Sequence, residues 1–343
     1  MVEVLSPDGE LSGTSPMSSD QVVEALRLML LSRAVDERLI KLQRMGRVGV
    51  YGPVLGQEAA VIGSAMALDP SRDWMVPASR EHPAMLRHGL PLTNMFATYM
   101  GNFDLAAIPD GVRLLPRQQS IGAQLPHAAG LAWALKLRGT AGAVAVYFGE
   151  GASSEGDFHE AANLAGVMRV PLVMLLINNH YAISTPVSRQ TAASDLARRA
   201  EGYGFPGFAV DGNDLLAVYA TTRDAVDRAL SGDGPTLIEC RTYRMGFHNT
   251  SDNPNEYRGT AEVAEAERRD PVERVRRFAT RSGFWSAEQE AATLAEIRGE
   301  IETAQREVEQ SPRPGAAAIF EHVYDSLPPR LQRQRAEAID EGT

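Results

Sequence analysis

Between residues 143 and 185 two apolar runs flank a helical pattern, and no other stretch limits the fold of this chain as strongly. The first run, 143–148, breaks into Gly149-Glu150-Gly151; helical spacing follows over 157–168 until Pro171; the second run, 172–177, stops at Asn178-Asn179. Short, continuously apolar runs bounded by turn residues read as buried strands, so the unit is strand, helix, parallel strand. A right-handed crossover returns both strand ends to one edge of the sheet, about 4.8 Å apart if the strands are neighbours. Glu150 and Asn179 then face one another.

A carboxylate, an amide oxygen and a free backbone carbonyl from Tyr181 make a set of hard oxygen ligands, which suits magnesium sharing its shell with phosphate. Gly149 and Gly151 let the backbone approach that phosphate, and the start of the helix offers N–H groups. A dinucleotide fingerprint fits less well, because it needs an earlier third glycine and an acidic residue at the end of the second strand. A Walker A loop would need Gly-Lys-Ser/Thr, which is missing. Taken alone, Gly149-Glu150-Gly151 also reads as a glycine turn in an ordinary α/β sheet. The Asn-Asn pair at crossover distance weighs against that reading.

The turn, its helix and the run 178–186 resemble the thiamine-diphosphate motif of the α subunits of 2-oxo acid dehydrogenase complexes, and the resemblance extends over about residues 18–330. It implies an α/β thiamine-diphosphate-binding fold: a mainly parallel sheet with helices on both faces, plus helical N- and C-terminal extensions. The implied division is a flexible segment 1–17, a binding domain 18–265 and a helical extension 266–343. Magnesium would rest on Glu150, Asn179 and Tyr181, with Gly149, Gly151 and Ala152 beside the cofactor.

Other segments carry the resemblance further. A short strand over 74–78 delivers Ser79-Arg80-Glu81-His82. Arginine presents a planar fork of donors suited to phosphate. On spacing alone Arg80 reads as a surface ion pair; the resemblance makes Ser79 and Arg80 cofactor contacts, with Ser79 standing where an aromatic is often found. The poorly periodic stretch 102–120 leads to a helix rich in alanine and glycine, and here Gln119 and Ile121 would line the cofactor. A strand over 236–244 opens into a polar loop containing His248, whose near-neutral pKa suits proton transfer. The resemblance assigns His248 to the diphosphate and to acyl transfer. Asn249 stands where some relatives carry a regulatory serine, so phosphorylation there is excluded, and Ser251 is still available. Tyr51 and Gln57 read as structural residues rather than substrate contacts.

The remaining chain reads as scaffold. Ser18-x-x-Gln21 is a capping box ahead of a long helix that Gly46 stops. Residues 195–203 read as a helix, 208–210 as a strand, and 211–214 as a turn capping a helix over 215–230. Asp270-Pro271 and Ser286-x-x-Gln289 start two further helices, the second polar with a thin apolar stripe, and the last dozen residues read as disordered.

The net charge is −10 (34 basic against 44 acidic residues), with no long basic run, which argues against nucleic acid or anionic membranes as partners. Cys240 is the only cysteine, so no internal disulfide is available. No leader pattern or membrane span is legible, and the bacterial cytosol is the expected location. The resemblance places the glutamate that activates the cofactor ring on a β subunit, giving an α2β2 heterotetramer that passes an acyl group from a small 2-oxo acid to the lipoyl group of an acyltransferase. Glu150, the 154–157 turn and 250–252 look more like branched-chain enzymes; 111–126 and 190–193 look closer to pyruvate dehydrogenases. Branched-chain acids are favoured, pyruvate second. The rivals are a magnesium-dependent enzyme of another phosphate ligand and a non-catalytic scaffold.

Overall fold

The computed structural model describes residues 2–321 and 323–341. In chain order the elements are α1 (Ser19–Arg44), α2 (Glu58–Met66), β1 (Trp74–Val76), α3 (His82–Arg87), α4 (Leu92–Met100), α5 (Phe103–Ala106), α6 (Gln124–Arg138) and β2 (Val144–Gly149). Then follow α7 (Gly156–Met168), β3 (Leu172–Asn178), β4 (Tyr181–Ala182), β5 (Thr185–Pro186), α8 (Val187–Gln190), β6 (Gly207–Asp211), α9 (Leu215–Leu230) and β7 (Thr236–Arg241). The chain closes with α10 (Thr260–Arg268), α11 (Pro271–Arg281), α12 (Ala287–Gln310), α13 (Ala318–Glu321) and α14 (Pro329–Glu341). No helix among the described residues is long and apolar enough to cross a membrane.

Five strands pair in the order β1-β2-β3-β7-β6, all parallel, and β4-β5 form a small antiparallel hairpin. Successive side chains of a strand face opposite sides of a sheet, and here both sides are apolar. Ala145, Tyr147, Val173 and Leu175 enter one cluster with α2 and α9; Val146, Phe148, Met174 and Leu176 enter another with α6 and α7. This double burial is why the two runs read as continuous rather than alternating. A third cluster joins α1, α4, α11 and α12 into an outer helical layer.

Local chemistry sets the helix ends as expected. Ser18 and Gln21 close a capping box on α1, and Asp214 accepts the N–H groups of Leu216 and Ala217 at 3.0 Å each to cap α9. Such caps contribute about 1 kcal/mol each. Asp270 and Ser286 cap α11 and α12 in the same way.

Several expectations are corrected. The segment 1–17 is packed rather than loose: Leu5 is fully buried, the N–H groups of Val4 and Leu5 both donate to Asp214 Oδ2 at 2.7 Å, and Arg274 donates to the Leu5 carbonyl. The 265/266 boundary falls inside α10, and α11 shares a core with α1, so packing continues across it. Residues 197–203 form a 3-10 turn instead of an α-helix. The first strand ends at Val76. The last ends at Arg241; beyond it the Thr242 N–H still donates to the Asn178 carbonyl at 2.9 Å, and the Thr242 hydroxyl bonds to Asn213 Oδ1 at 2.7 Å. Finally, α14 occupies most of the terminal dozen; residues 342 and 343 lie outside the described residues.

Candidate active site

β2 and β3 pair in register from Val144↔Leu172 to Gly149↔Ile177, which brings Glu150 and Asn179 to the same edge. Glu150 Oε2 accepts the Asn179 backbone N–H at 3.3 Å. The Asn179 amide turns its nitrogen to Gln57 Oε1 at 3.0 Å, and its Oδ1 accepts the Tyr181 N–H at 3.3 Å. Glu150 Oε1 is buried with no hydrogen-bond partner. Burial pushes this carboxyl above the usual range, against the N–H of Asn179, Gln190 and the Arg244 charge, which hold it down. A buried, unpartnered carboxylate oxygen asks for a cation.

These groups line a cavity of about 330 Å³ with Ser79, Arg80, Ile121, Gly149, Gly151, Ala152 and His248. Of the residues that the resemblance gives to the cofactor or the metal, only Gln119 is placed elsewhere: Gln118 lines this cavity, and Gln119 lines an adjoining one of about 110 Å³ that shares Ser79, Arg80 and His248. Neighbouring residues of a loop point different ways, and no periodicity tells which faces in.

Arg80 is half-buried at the cavity and makes no ion pair among the described residues. Its guanidinium donates to the Pro53 and His248 carbonyls and lies 3.2 Å from His248 Nδ1. The turn that carries it is tied by Glu81, whose Oε2 accepts the N–H groups of Ala78 at 2.9 Å and Arg80 at 3.0 Å. Gly151 also has a packing reason, since a side chain there would meet Ala182 Cβ at 2.8 Å. A 3-10 turn, Gly151–Ser154, separates β2 from α7. Gly151, Ala152 and Glu155 line the cavity and Gly156 and Asp157 do not, so the N-terminus of α7 stands back from it.

Two further corrections concern electrostatics. The Tyr181 carbonyl is not free: buried Arg244 donates to it through Nη1 at 3.0 Å, leaving one lone pair. Arg244 also donates through Nη2 to the Ile183 carbonyl at 2.6 Å and the Tyr257 hydroxyl at 2.8 Å. His248 is not poised near neutrality, because burial, then Arg80 and Arg244, press its pKa down to about 4. Arg244, Glu81 and Gln118 were given no role from the sequence, and Gln57, read there as structural, lines the cavity. The only available signal for Arg244 was its place four residues before His248 in the same loop.

The donors suit a divalent ion that takes the rest of its shell from phosphate. Glu150, Asn179 and Tyr181 bring one carboxylate and two neutral oxygens to the residues lining one cavity, and among the described residues no three Asp, Glu, His or Cys side chains gather as a self-sufficient metal cage. Two guanidiniums stand across the same cavity.

An open parallel sheet with its polar cleft beyond the carboxyl ends of the strands defines an α/β enzyme class that binds ligands at that edge. Within that class the chain belongs to the dehydrogenase E1 component family, whose match covers residues 26–317. Among its relatives are the pyruvate dehydrogenase E1 component subunit alpha of Staphylococcus aureus and that of Staphylococcus epidermidis. Each is 40% identical over 338 residues, 97% of this chain and 91% of the relative. Both names carry pyruvate, which the sequence motifs place second to branched-chain acids; neither supports the branched-chain preference.

Proposed function

We propose that the chain is the α subunit of a thiamine-diphosphate-dependent 2-oxo acid dehydrogenase that acts on pyruvate, paired with a β subunit as α2β2 and serving a lipoyl-bearing acyltransferase. The observation that carries this reading is the meeting of Glu150 with Asn179 at adjacent strand ends, one Glu150 oxygen left buried and unpartnered. The relatives' names support pyruvate over branched-chain acids.

Thiamine diphosphate, when bound, supplies the nucleophilic carbon and the electron sink that decarboxylation of a 2-oxo acid requires. Glu150 Oε1, Asn179 Oδ1 and the Tyr181 carbonyl would hold Mg2+. Arg80 and Arg244 bring two positive charges to the cavity lining, where they would hold the diphosphate, and the low dielectric there strengthens their pull. Ile121, Ile177, Ala182 and Ile183 give the cavity an apolar side. His248 faces the same space as a neutral imidazole; an anion beside the two guanidiniums raises its proton affinity, which fits it to hold a proton during acyl transfer.

Two measurements test the reading. On the assembled α/β enzyme, kcat/KM for pyruvate should exceed that for 3-methyl-2-oxobutanoate; the reverse order restores the branched-chain assignment. Calorimetry should show thiamine diphosphate binding that depends on Mg2+ and exceeds that of ATP, and equal binding of both would sink the cofactor assignment.

A further inference from the structure

Behind the cavity, on α1, Asp36 is 5% exposed, with His82 Nε2 3.7 Å from its Oδ1. Both of its oxygens are spent on one loop: Oδ1 accepts the Tyr51 hydroxyl at 2.5 Å, and Oδ2 accepts the Val54 N–H at 2.9 Å. Residues 51–54 then touch the cofactor-facing groups at three points. The Pro53 carbonyl accepts from Arg80 Nη1. Gly52 runs directly against both partners, since a side chain there would lie 3.0 Å from the His248 carbonyl and 3.1 Å from Arg80 Nη1. Tyr51 and Thr250 exchange bonds, the Tyr51 N–H to Thr250 Oγ1 at 3.2 Å and the Thr250 N–H to the Tyr51 carbonyl at 2.9 Å.

We propose that Asp36 is a positioning residue: through the loop 51–54 it fixes Arg80 and the His248 segment in the geometry that receives the cofactor's diphosphate. This rests on the cofactor assignment above. Packing alone does not account for an aspartate here. Leu39 and Leu42 on the same helix fill the core without charge, whereas burying Asp36 is unfavourable enough to push its pKa up to about 7. Its two acceptor bonds offset part of that cost, and they converge on the one loop that holds both Arg80 and His248.

The test uses the assembled α/β enzyme, with two readouts: the Kd for thiamine diphosphate in the presence of Mg2+, by calorimetry, and the thermal midpoint without cofactor. Asp36→Ala and Tyr51→Phe should raise Kd about ten- to a hundredfold, the range typical of residues that orient direct ligands, with Asp36→Asn between them and the parent. Leu26→Ala, a core change elsewhere on α1, should lower the midpoint and leave Kd unchanged. Should Asp36→Ala fail to assemble, the milder Tyr51→Phe carries the test. A parent-like Kd in Tyr51→Phe overturns the positioning role. Arg80→Ala in the same series separates the two claims: if it weakens binding and Tyr51→Phe does not, only the positioning role falls. If neither does, the cofactor assignment falls as well.

Discussion

The Arg80 guanidinium stands 3.2 Å from Nδ1 of His248, and Arg244 approaches the same nitrogen at 3.4 Å. With N–H donors on both sides, Nδ1 must offer its lone pair, so the proton of the neutral ring sits on Nε2. A protonated ring would set a third cation against two others.

The first expectation concerns pH. His248 should titrate near 4 in the ligand-free protein, read from its ring proton by NMR, and the pKa should rise in Arg80→Gln. The folded value lies below the unfolded one of about 6.5, so the unfolded chain binds more protons in between, and this group lowers stability as pH falls from about 6.5 to about 4. His82, held down to about 3 by burial, acts in the same sense. Asp36, raised to about 7, acts oppositely between about 3.8 and 7. Urea midpoints should therefore fall less on acidification in His248→Gln than in the parent.

Glu150→Gln separates stability from function. The carboxylate is buried with Oε1 unpartnered, so the neutral amide should leave the thermal midpoint unchanged or higher. Mg2+-dependent binding of thiamine diphosphate should fall at least tenfold by calorimetry. A lower midpoint with unchanged binding would make Glu150 a structural residue.

Gly56→Ala should be among the most damaging single-methyl additions. Gly56 has φ +91°, and a Cβ there would lie 2.2 Å from the Tyr243 carbonyl. Strain and clash together should cost roughly 3 kcal/mol in chemical denaturation. Gln57 follows directly and holds the Asn179 amide, so cofactor binding should weaken in parallel.

Arg274→Ala tests the hub that fastens the first residues. Arg274 is fully buried, 2.8 Å from Asp211 and 3.5 Å from Asp214, and it donates to the Leu5 carbonyl. Removing one partner of such a buried network should cost about 3–5 kcal/mol. Residues 2–6 should also become accessible to protease at native pH, which limited digestion followed by mass spectrometry would reveal.

The chain by itself determined the β2–α7–β3 unit and the edge where Glu150 and Asn179 meet. Apolar runs, glycine turns and caps are local patterns, and one crossover rule converts them into geometry. The caps at Ser18, Asp214, Asp270 and Ser286 were legible for the same reason. The packed N-terminus was not, because a 17-residue segment with little periodicity shows no sign of the Arg274 and Asp214 side chains that hold it.

Only the tertiary structure decided what surrounds that edge. Gln57 reaches Asn179 from 122 positions away, and Thr250 meets Tyr51 across 199. The choice of Gln118 over Gln119, the hidden role of Asp36 and the low proton affinity of His248 all follow from such long-range packing. A side chain's pKa depends on burial and on which charges come near, and neither is written in the residues beside it.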